Sequence, residues 1–381
     1  MILLCYIIGF ISCTTLGDRL WIHNINASVY LIYFPGIILL FCQAHSLLEL
    51  FLYYELLMLP SVYLVYKLGY TKKSYQANVY FFIWTQLGSL IVFAGVCYIN
   101  LVHGVTTFDF LRNCVFTEFE KNVLFYLFFF GFGIKTPIWP FHFWLTKVHV
   151  EAPSGFSIFL SGFLVKTALY CFYKFSLILN INSIPVFSLI ICLLGIFDAS
   201  LKMWGQVDIK KLIAYATIQE MNCIYFLLCL GDSWSIHIVT VFLFAHGVLS
   251  ALMFYIIELI YKRTNTRSSY KISGLSELYP SLAIVIWSMI LIYMGLPCFL
   301  KFFVEVAFIA VLFEFNSVLA VCSAIILMIV GGIGFIRQWL NILYGHPGYP
   351  AVRLDLSKEE LTVSSILIFF SMVSLPLLFF F

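Results

Sequence analysis

Apolar runs long enough to cross a bilayer recur from one end of this chain to the other. A spanning helix needs about 20 mostly apolar residues. The 381-residue sequence reads as about twelve such segments. They fall at about 1–13, 27–45, 46–68, 78–102, 122–144, 155–178, 185–203, 212–231, 235–261, 280–314, 316–340 and 359–381, the first being short for a full span. Hydrophobic residues make up 63% of the chain and charged ones 10%, where a soluble domain carries about 25% charged residues. No single globular core hides that much apolar surface, because surface grows too fast relative to volume. In lipid every backbone polar group needs an internal partner, so runs of this length form helices. The expected fold is an all-α polytopic transmembrane bundle of about 12 helices.

The charges that lie between segments orient the chain. Lys72-Lys73, Lys210-Lys211, Lys262-Arg263 through Lys271, and Arg337 to Lys358 fall on one face when helices are counted in order. Excess Lys and Arg mark the face that is not translocated, so both termini are expected on the opposite face. The net charge of +3 is small and spread in short clusters, with no basic stripe for nucleic acid. The eleven cysteines, among them Cys5, Cys42, Cys97, Cys171 and Cys229, sit mostly in apolar segments and form no C-x-x-C pair. Zinc ribbons and iron–sulfur ligation therefore lack their usual spacing, and the cysteines read as small buried hydrophobes. Met1 to Phe10 is apolar at once, without the basic start of a cleavable signal. The abundance of Phe (41) and Tyr (23) fits an AT-rich, organelle-encoded gene.

Two segments are interrupted by proline: Gly133-Ile134-Lys135-Thr136-Pro137-Ile138-Trp139-Pro140, and Met294-Gly295-Leu296-Pro297-Cys298. Proline removes a backbone donor and frees a carbonyl. In lipid that is tolerated only where the break faces protein or a wet cavity. A broken helix in each half of a chain is a pointer to a transport site near the membrane midplane. The plainer alternative for either break is a packing kink.

Ionisable residues deep in apolar segments supply the second pointer. Glu55, Lys135, Lys166, Glu220, His246 and Glu305 all lie within predicted spans. A charge there costs several kcal/mol and faces the bundle interior. Lys and Glu together suit a proton relay, because mutual attraction and desolvation act on them in opposing senses. Each one taken singly also fits a structural ion pair or a snorkelling end residue; six along one chain favour a relay. Asp18 and Arg19, Asp109 and Arg112, and Glu118 to Lys121 are expected in solvated loops. Glu258 with Lys262 reads as an i,i+4 pair, and Lys301 as a local partner that tunes Glu305. Most of the eight histidines sit near segment ends, and no facing mid-span pair marks a bis-histidine haem.

Lys135 to Pro153 reads KTPIWPFHFWLTKVHVEAP, and this resembles the broken-helix signature of chain 4 of respiratory NADH:ubiquinone oxidoreductase (complex I). The string HVEAP, His149 to Pro153, favours the chain 4 type over the related chains 2 and 5. YELLMLP from Tyr54, DIKKLIAYATI from Asp208, AHGVLSALMF from Ala245, and MGLP from Met294 followed by Glu305 extend the match. The resemblance is collinear from about residue 50 to residue 310. It implies two inverted five-helix repeats, each with a proline-broken helix. The expected organisation is peripheral helices over 1–45, a first core half over 46–181, a second over 182–345, and a C-terminal loop and last helix over 346–381.

The resemblance implies that Glu55 and Lys135 form the paired groups of the first half-channel and that Lys166 is the central relay lysine. His246 would lie on a polar axis toward the terminal Glu305. Proton uptake would be from the basic-loop face, the matrix of a mitochondrion if the chain is organellar. No cofactor is expected in this chain; FMN, iron–sulfur clusters and ubiquinone would belong to other subunits. The implied partners are the other membrane-arm subunits, especially chains 2 and 5, with accessory subunits and lipids, in the mitochondrial inner membrane. There are two departures. Glu220 stands where the family usually has histidine, which changes the resting charge of the relay. The chain also reads as starting about two helices late, so a separate polypeptide or an accessory subunit is expected to cover the face near residues 1–45.

The rival functions are a subunit of a multisubunit cation/proton antiporter with the same ancestry, a membrane enzyme acting on lipid or quinone, and a scaffold that has lost transport. No Ser-His-Asp set, HExxH or Asp-rich motif serves the enzyme reading. Retention of Glu55, Lys135, Lys166 and Glu305 argues against the scaffold.

Overall fold

Proline and glycine set where the helices of this chain stop. The computed structural model describes residues 8, 9, 11, 12, 15, 33–69, 73–104, 106–179, 186–346 and 355–373. Most of the first predicted segment, Cys5, Asp18, Arg19 and Lys72 lie outside the described residues. The described chain divides into two compact units, residues 1–192 with 228–232, and residues 193–227 with 233–381.

In the first unit the helices are α1 (Phe34–Gln43), α2 (Leu47–Leu56), α3 (Met58–Leu68), α4 (Ser74–His103), α5 (Phe108–Leu111), α6 (Glu118–Lys135), α7 (Phe143–Glu151), α8 (Ser154–Phe159) and α9 (Val165–Leu179). A π-helical turn, Leu160–Leu164, joins α8 to α9. Ser46 caps α2, its hydroxyl accepting from the Glu49 amide while Glu49 Oε2 accepts from the His45 amide. The continuous apolar run 46–68 resolves into two helices meeting at Leu57. Pro60 has no N–H for the Leu56 carbonyl, which accepts the Tyr33 hydroxyl at 3.4 Å instead. Glu118 to Lys121, expected in a loop, form the first turn of α6. There Thr117 and Glu120 make a reciprocal capping box, which lengthens the helix beyond its apolar pattern. Glu118 and Lys121 pair at 3.1 Å in that turn. Asp109 likewise lies in a short helix, α5, with Arg112 at its C-cap.

Helices α4 and α6 approach through small residues. A Cβ on Gly88 would meet the Gly131 carbonyl at 2.6 Å, and one on Gly131 would meet Val92 at 2.6 Å. Between helices in lipid, close packing of this kind replaces the hydrophobic drive that water supplies. Behind it an aromatic cluster fills the unit: Phe128 and Phe132 pack on Phe175, and Phe125 packs on Phe172.

In the second unit the helices are the later part of α10 (Val186–Met203), most of α11 (Ile209–Leu230), α12 (Ser233–Thr264), α13 (Leu275–Leu278), α14 (Pro280–Tyr293), α15 (Leu300–Phe315), α16 (Ser317–Ala324), α17 (Gly332–Leu343) and α18 (Lys358–Val373). A π-helical segment, Ile325–Gly331, joins α16 to α17. Asp355 caps α14 from a distance, accepting from the Ser281 amide at 2.7 Å and the Leu282 amide at 3.3 Å. Arg263 on α12 donates to the Asp355 carbonyl and to Glu360 on α18, tying the last helix down.

Among the described residues seven helices are long and apolar enough to cross a membrane. Two of the other predicted segments are interrupted at the proline breaks. The 122–144 run breaks after Lys135 and the 280–314 run after Tyr293. The segment at 27–45 is described as a helix over Phe34–Gln43, and the last is described to Val373. The spans Ser154–Leu179 and Ile209–Leu230 are buried along nearly their whole length, whereas Leu47–Leu68, Ser74–His103 and Ser317–Leu343 are less than half buried. Helices apolar all round are stable in the latter setting only with lipid or another apolar surface against them.

Candidate functional site

The first break is repaired by neutral groups. Pro137 has no N–H for the Gly133 carbonyl. The Ile138 amide takes that carbonyl at 2.9 Å, one residue out of register, and the Thr136 hydroxyl joins it at 3.3 Å. The shift leaves the Ile134 carbonyl without its helical donor, and the Trp144 indole N–H supplies one at 2.8 Å. Gly133 leaves room for the Ile138 side chain, since a Cβ would lie 2.4 Å from Ile138 Cδ1.

At the end of α6, Lys135 is buried. Its ammonium makes no hydrogen bond to the protein and lies 3.4 Å from the centroid of the Tyr54 ring. A desolvated cation–π contact of this kind is worth about 2 kcal/mol. Glu55, the next residue after Tyr54, is half-buried and turned elsewhere. Its carboxylate accepts from the Ser89 hydroxyl and from Gln86 Nε2 at 3.1 Å. Thus the two groups expected to pair are set on adjacent supports with no direct ion pair between them: an aromatic face for the cation, neutral donors for the anion. A small cavity of about 10 Å³ adjoins Lys135, lined also by Ser61, Trp144, Leu160 and Leu164. That is on the order of a single water molecule.

Lys166 is fully buried near the start of α9. In the π turn before it, the Val165 amide bonds the Leu160 carbonyl, five residues back. The next carbonyl, Ser161, accepts the Lys166 ammonium at 2.7 Å. π turns widen a helix by one residue and often mark functional positions.

The second unit is arranged differently. Glu220 on α11, His246 on α12, and Lys301 and Glu305 on α15 are all buried and form one chain of contacts. His246 Nδ1 lies 2.7 Å from Glu220 Oε2. Lys301 Nζ lies 3.2 Å from Glu220 Oε1 and 3.1 Å from Glu305 Oε1. The third ammonium proton goes to the Tyr293 carbonyl. Tyr293 is four residues before Pro297, so this is the carbonyl that the second break frees. The Tyr293 ring packs beneath the ammonium, 3.7 Å from Nζ to its centroid. Its hydroxyl donates to Gln219 Oε1, and Gln219 Nε2 donates to the Ser200 hydroxyl, both at 2.8 Å. Gly331 makes room for that amide, since a Cβ there would lie 2.3 Å from Gln219 Nε2.

All six predicted residues are thus placed: Glu55, Lys135 and Lys166 in the first unit, Glu220, His246 and Glu305 in the second. Lys301 does more than accompany Glu305, because it also bridges to Glu220. Tyr54, Tyr293, Gln219 and Ser200 were not singled out from the sequence. Position relative to the breaks was the available signal for Tyr293, since the residue four before a proline loses its helical donor. Among the described residues no group of three His, Cys, Asp or Glu side chains is disposed to hold a metal.

Comparison with known proteins places this arrangement. The family model for the membrane domain of NADH:quinone oxidoreductases and Mrp antiporters matches residues 44–331. The chain belongs to this family. NADH-ubiquinone oxidoreductase chain 4 of Paramecium tetraurelia is 39% identical over 367 residues, covering 95% of this chain and 77% of the relative. A chain of respiratory complex I from Thermus thermophilus superposes with a TM-score of 0.85 at 22% identity, covering 98% of this chain and 78% of that one. A chain of the Mrp complex from Dietzia sp. DQ12-45-1b does so at 0.84 and 17% identity, covering 96% and 78%. These two likenesses show the fold, that of the antiporter-like subunits of membrane complexes. Both broken helices and all six predicted residues fall inside the matched span.

Proposed function

We infer that the chain is a proton-translocating membrane subunit, of chain 4 type, of NADH:ubiquinone oxidoreductase. Most of the support comes from the buried run His246–Glu220–Lys301–Glu305 at a proline break, in a chain whose curated relative is a chain 4. Two carboxylates share one ammonium there, so the run holds an excess of negative charge whenever His246 is neutral. A proton arriving on His246 completes the charge balance, and its departure restores the deficit. That is a reversible proton store in a place where unbalanced charge costs several kcal/mol.

In the first unit, Glu55 and Lys135 are two charges on separate supports. Rotation of either side chain closes or opens the pair, and Lys166 answers the change in local field by holding or yielding its proton. In the second unit, Glu305 exchanges the proton with the outlet. Water near the Pro137 and Pro297 breaks connects the groups. Uptake is from the basic-loop face, with the core halves at 46–181 and 182–345, peripheral helices at 1–45, and the last helix within 346–381. Electron transfer takes place in other subunits, which carry FMN, iron–sulfur clusters and ubiquinone, and it changes the field along the membrane arm. The partners are the other membrane-arm subunits, chains 2 and 5 foremost, and accessory subunits. The membrane is the mitochondrial inner membrane, in keeping with the eukaryotic relative and the Phe- and Tyr-rich composition.

The test is purification in mild detergent followed by reconstitution into sealed vesicles. Flavin- and iron–sulfur-bearing partners and NADH-driven proton uptake are expected. Partners lacking redox centres, with sodium-driven proton exchange instead, would move the chain to the antiporters, whose fold it shares.

A further inference from the structure

Lys301 stands where a mobile cation would be held. Its ammonium is enclosed by one carboxylate oxygen of Glu220 on α11, one of Glu305 on α15, and the Tyr293 carbonyl at the end of α14. Carboxylates combined with an unwound backbone carbonyl at a broken helix are the donor set with which membrane transporters hold sodium ions and protons. All three donors are oxygen, the preference of hard cations. The Tyr293 ring closes one side of the site at 3.7 Å. On another side Gly295, at φ +67, brings the broken backbone so close that a Cβ would lie 2.8 Å from Glu305 Oε2. The site is therefore filled, and its occupant is covalently tethered.

Local helix energetics do not account for the lysine. Lys301 is in the first turn of α15, which carries no acidic residue. A cation there opposes the helix dipole, whose N-terminal end is positive. Its placement is explained by the two carboxylates and the freed carbonyl. His246 reaches Glu220 on that carboxylate's other oxygen and leaves the ammonium position untouched.

We propose that Lys301 is the selectivity-determining residue of the second unit: a built-in cation that closes the Glu220–Glu305 site to sodium and potassium and leaves the proton as the ion the unit exchanges. This rests on the proton-translocating function above and adds to it the reason that metal cations are refused.

The experiment uses the whole complex in sealed vesicles, with NADH-driven internal acidification per electron measured in sodium chloride and in choline chloride of equal ionic strength. The unaltered complex and Lys301→Arg give the same yield in both media. Lys301→Ala gives roughly tenfold less acidification in sodium than in choline, equivalent to about 1.4 kcal/mol of ion competition, and takes up radioactive sodium. Adding Glu305→Gln to Lys301→Ala removes the uptake of radioactive sodium, a readout that does not depend on proton uptake. Lys301→Gln, which keeps most of the stem, is read in the same way and serves if Lys301→Ala does not assemble. Equal yields in the two media for an assembled Lys301→Ala or Lys301→Gln complex overturn the proposal, as does sodium sensitivity of the unaltered complex. Absence of acidification by the unaltered complex in choline would count against the proton-translocating function itself, and is distinguishable from either.

Discussion

Two proline breaks in one chain are repaired by opposite means. At the first, the carbonyl left by Pro137 is recaptured by the Ile138 amide and the displaced Ile134 carbonyl by the Trp144 indole. All of these donors are neutral, and the nearby Lys135 is left on an aromatic face. At the second, the carbonyl left by Pro297 is taken by the Lys301 ammonium, which is also held by two carboxylates. The first unit thus keeps its charges apart on separate neutral partners, and the second condenses them into one ionic chain. An unwound backbone is equally costly in both places. What differs is whether its repair consumes the local charge, and that sets how each unit should respond to substitution.

The largest contrast comes from removing an acid from each unit. Glu220→Ala strips His246 and Lys301 of a buried partner at once. A cost of about 3–5 kcal/mol is expected, seen as a large drop in the thermal unfolding temperature of the complex together with loss of NADH-driven proton uptake. Glu55→Ala removes hydrogen bonds from neutral donors only, so its stability cost is expected at about 1–3 kcal/mol. Equal costs for the two would break the comparison.

Next come the functional lesions. Lys135→Ala, Lys166→Ala and Glu305→Ala are each expected to abolish coupled proton uptake by assembled complex, measured by acidification in sealed vesicles. Full uptake by all three would remove the roles assigned to them. A smaller effect isolates the neutral repair: Trp144→Phe leaves the buried Ile134 carbonyl without its donor, a cost of about 1–3 kcal/mol, to be read from thermal unfolding with proton uptake per electron unchanged.

The smallest effect is at the edge of the second unit, at the Asp355 cap of α14. Partial burial alone would raise this carboxyl, but hydrogen bonds from Ser281, Leu356 and Leu282 outweigh it and hold Asp355 below its ordinary value of 3.8. A lowered folded pKa means the cap stabilises above that ordinary value and is lost as the pH falls through the folded one. Acid unfolding profiles should therefore show a cap contribution of about 1 kcal/mol at neutral pH that disappears in acid. Asp355→Ala should lack it at every pH.

Membrane residence, the all-helical fold and both break positions were legible in the residue order, because each depends on local chemistry. Run length against bilayer thickness gave the spans, and a missing N–H gave the breaks. The places where pattern failed were helix starts. Glu118 to Lys121 look like a solvated loop by charge, yet the Thr117–Glu120 box draws them into α6. The relay residues were legible singly, as charges set in apolar surroundings. Their partners were not. Lys301 and Glu305 are four apart, so that contact follows from helix geometry, and Lys301 was given only a tuning role on that basis.

The amino-acid order by itself determined a multi-helix membrane protein with ionisable groups at two interrupted spans. Only the tertiary structure decided that Lys135 rests on Tyr54 rather than in a salt bridge with Glu55, and that Lys301 joins Glu220 to Glu305 at the carbonyl of Tyr293. The reason is distance along the chain. Hydrophobic period and missing amide hydrogens act over a few residues, whereas His246 meets Glu220 from 26 positions away. Such a meeting is set by how helices pack, and no local rule encodes it.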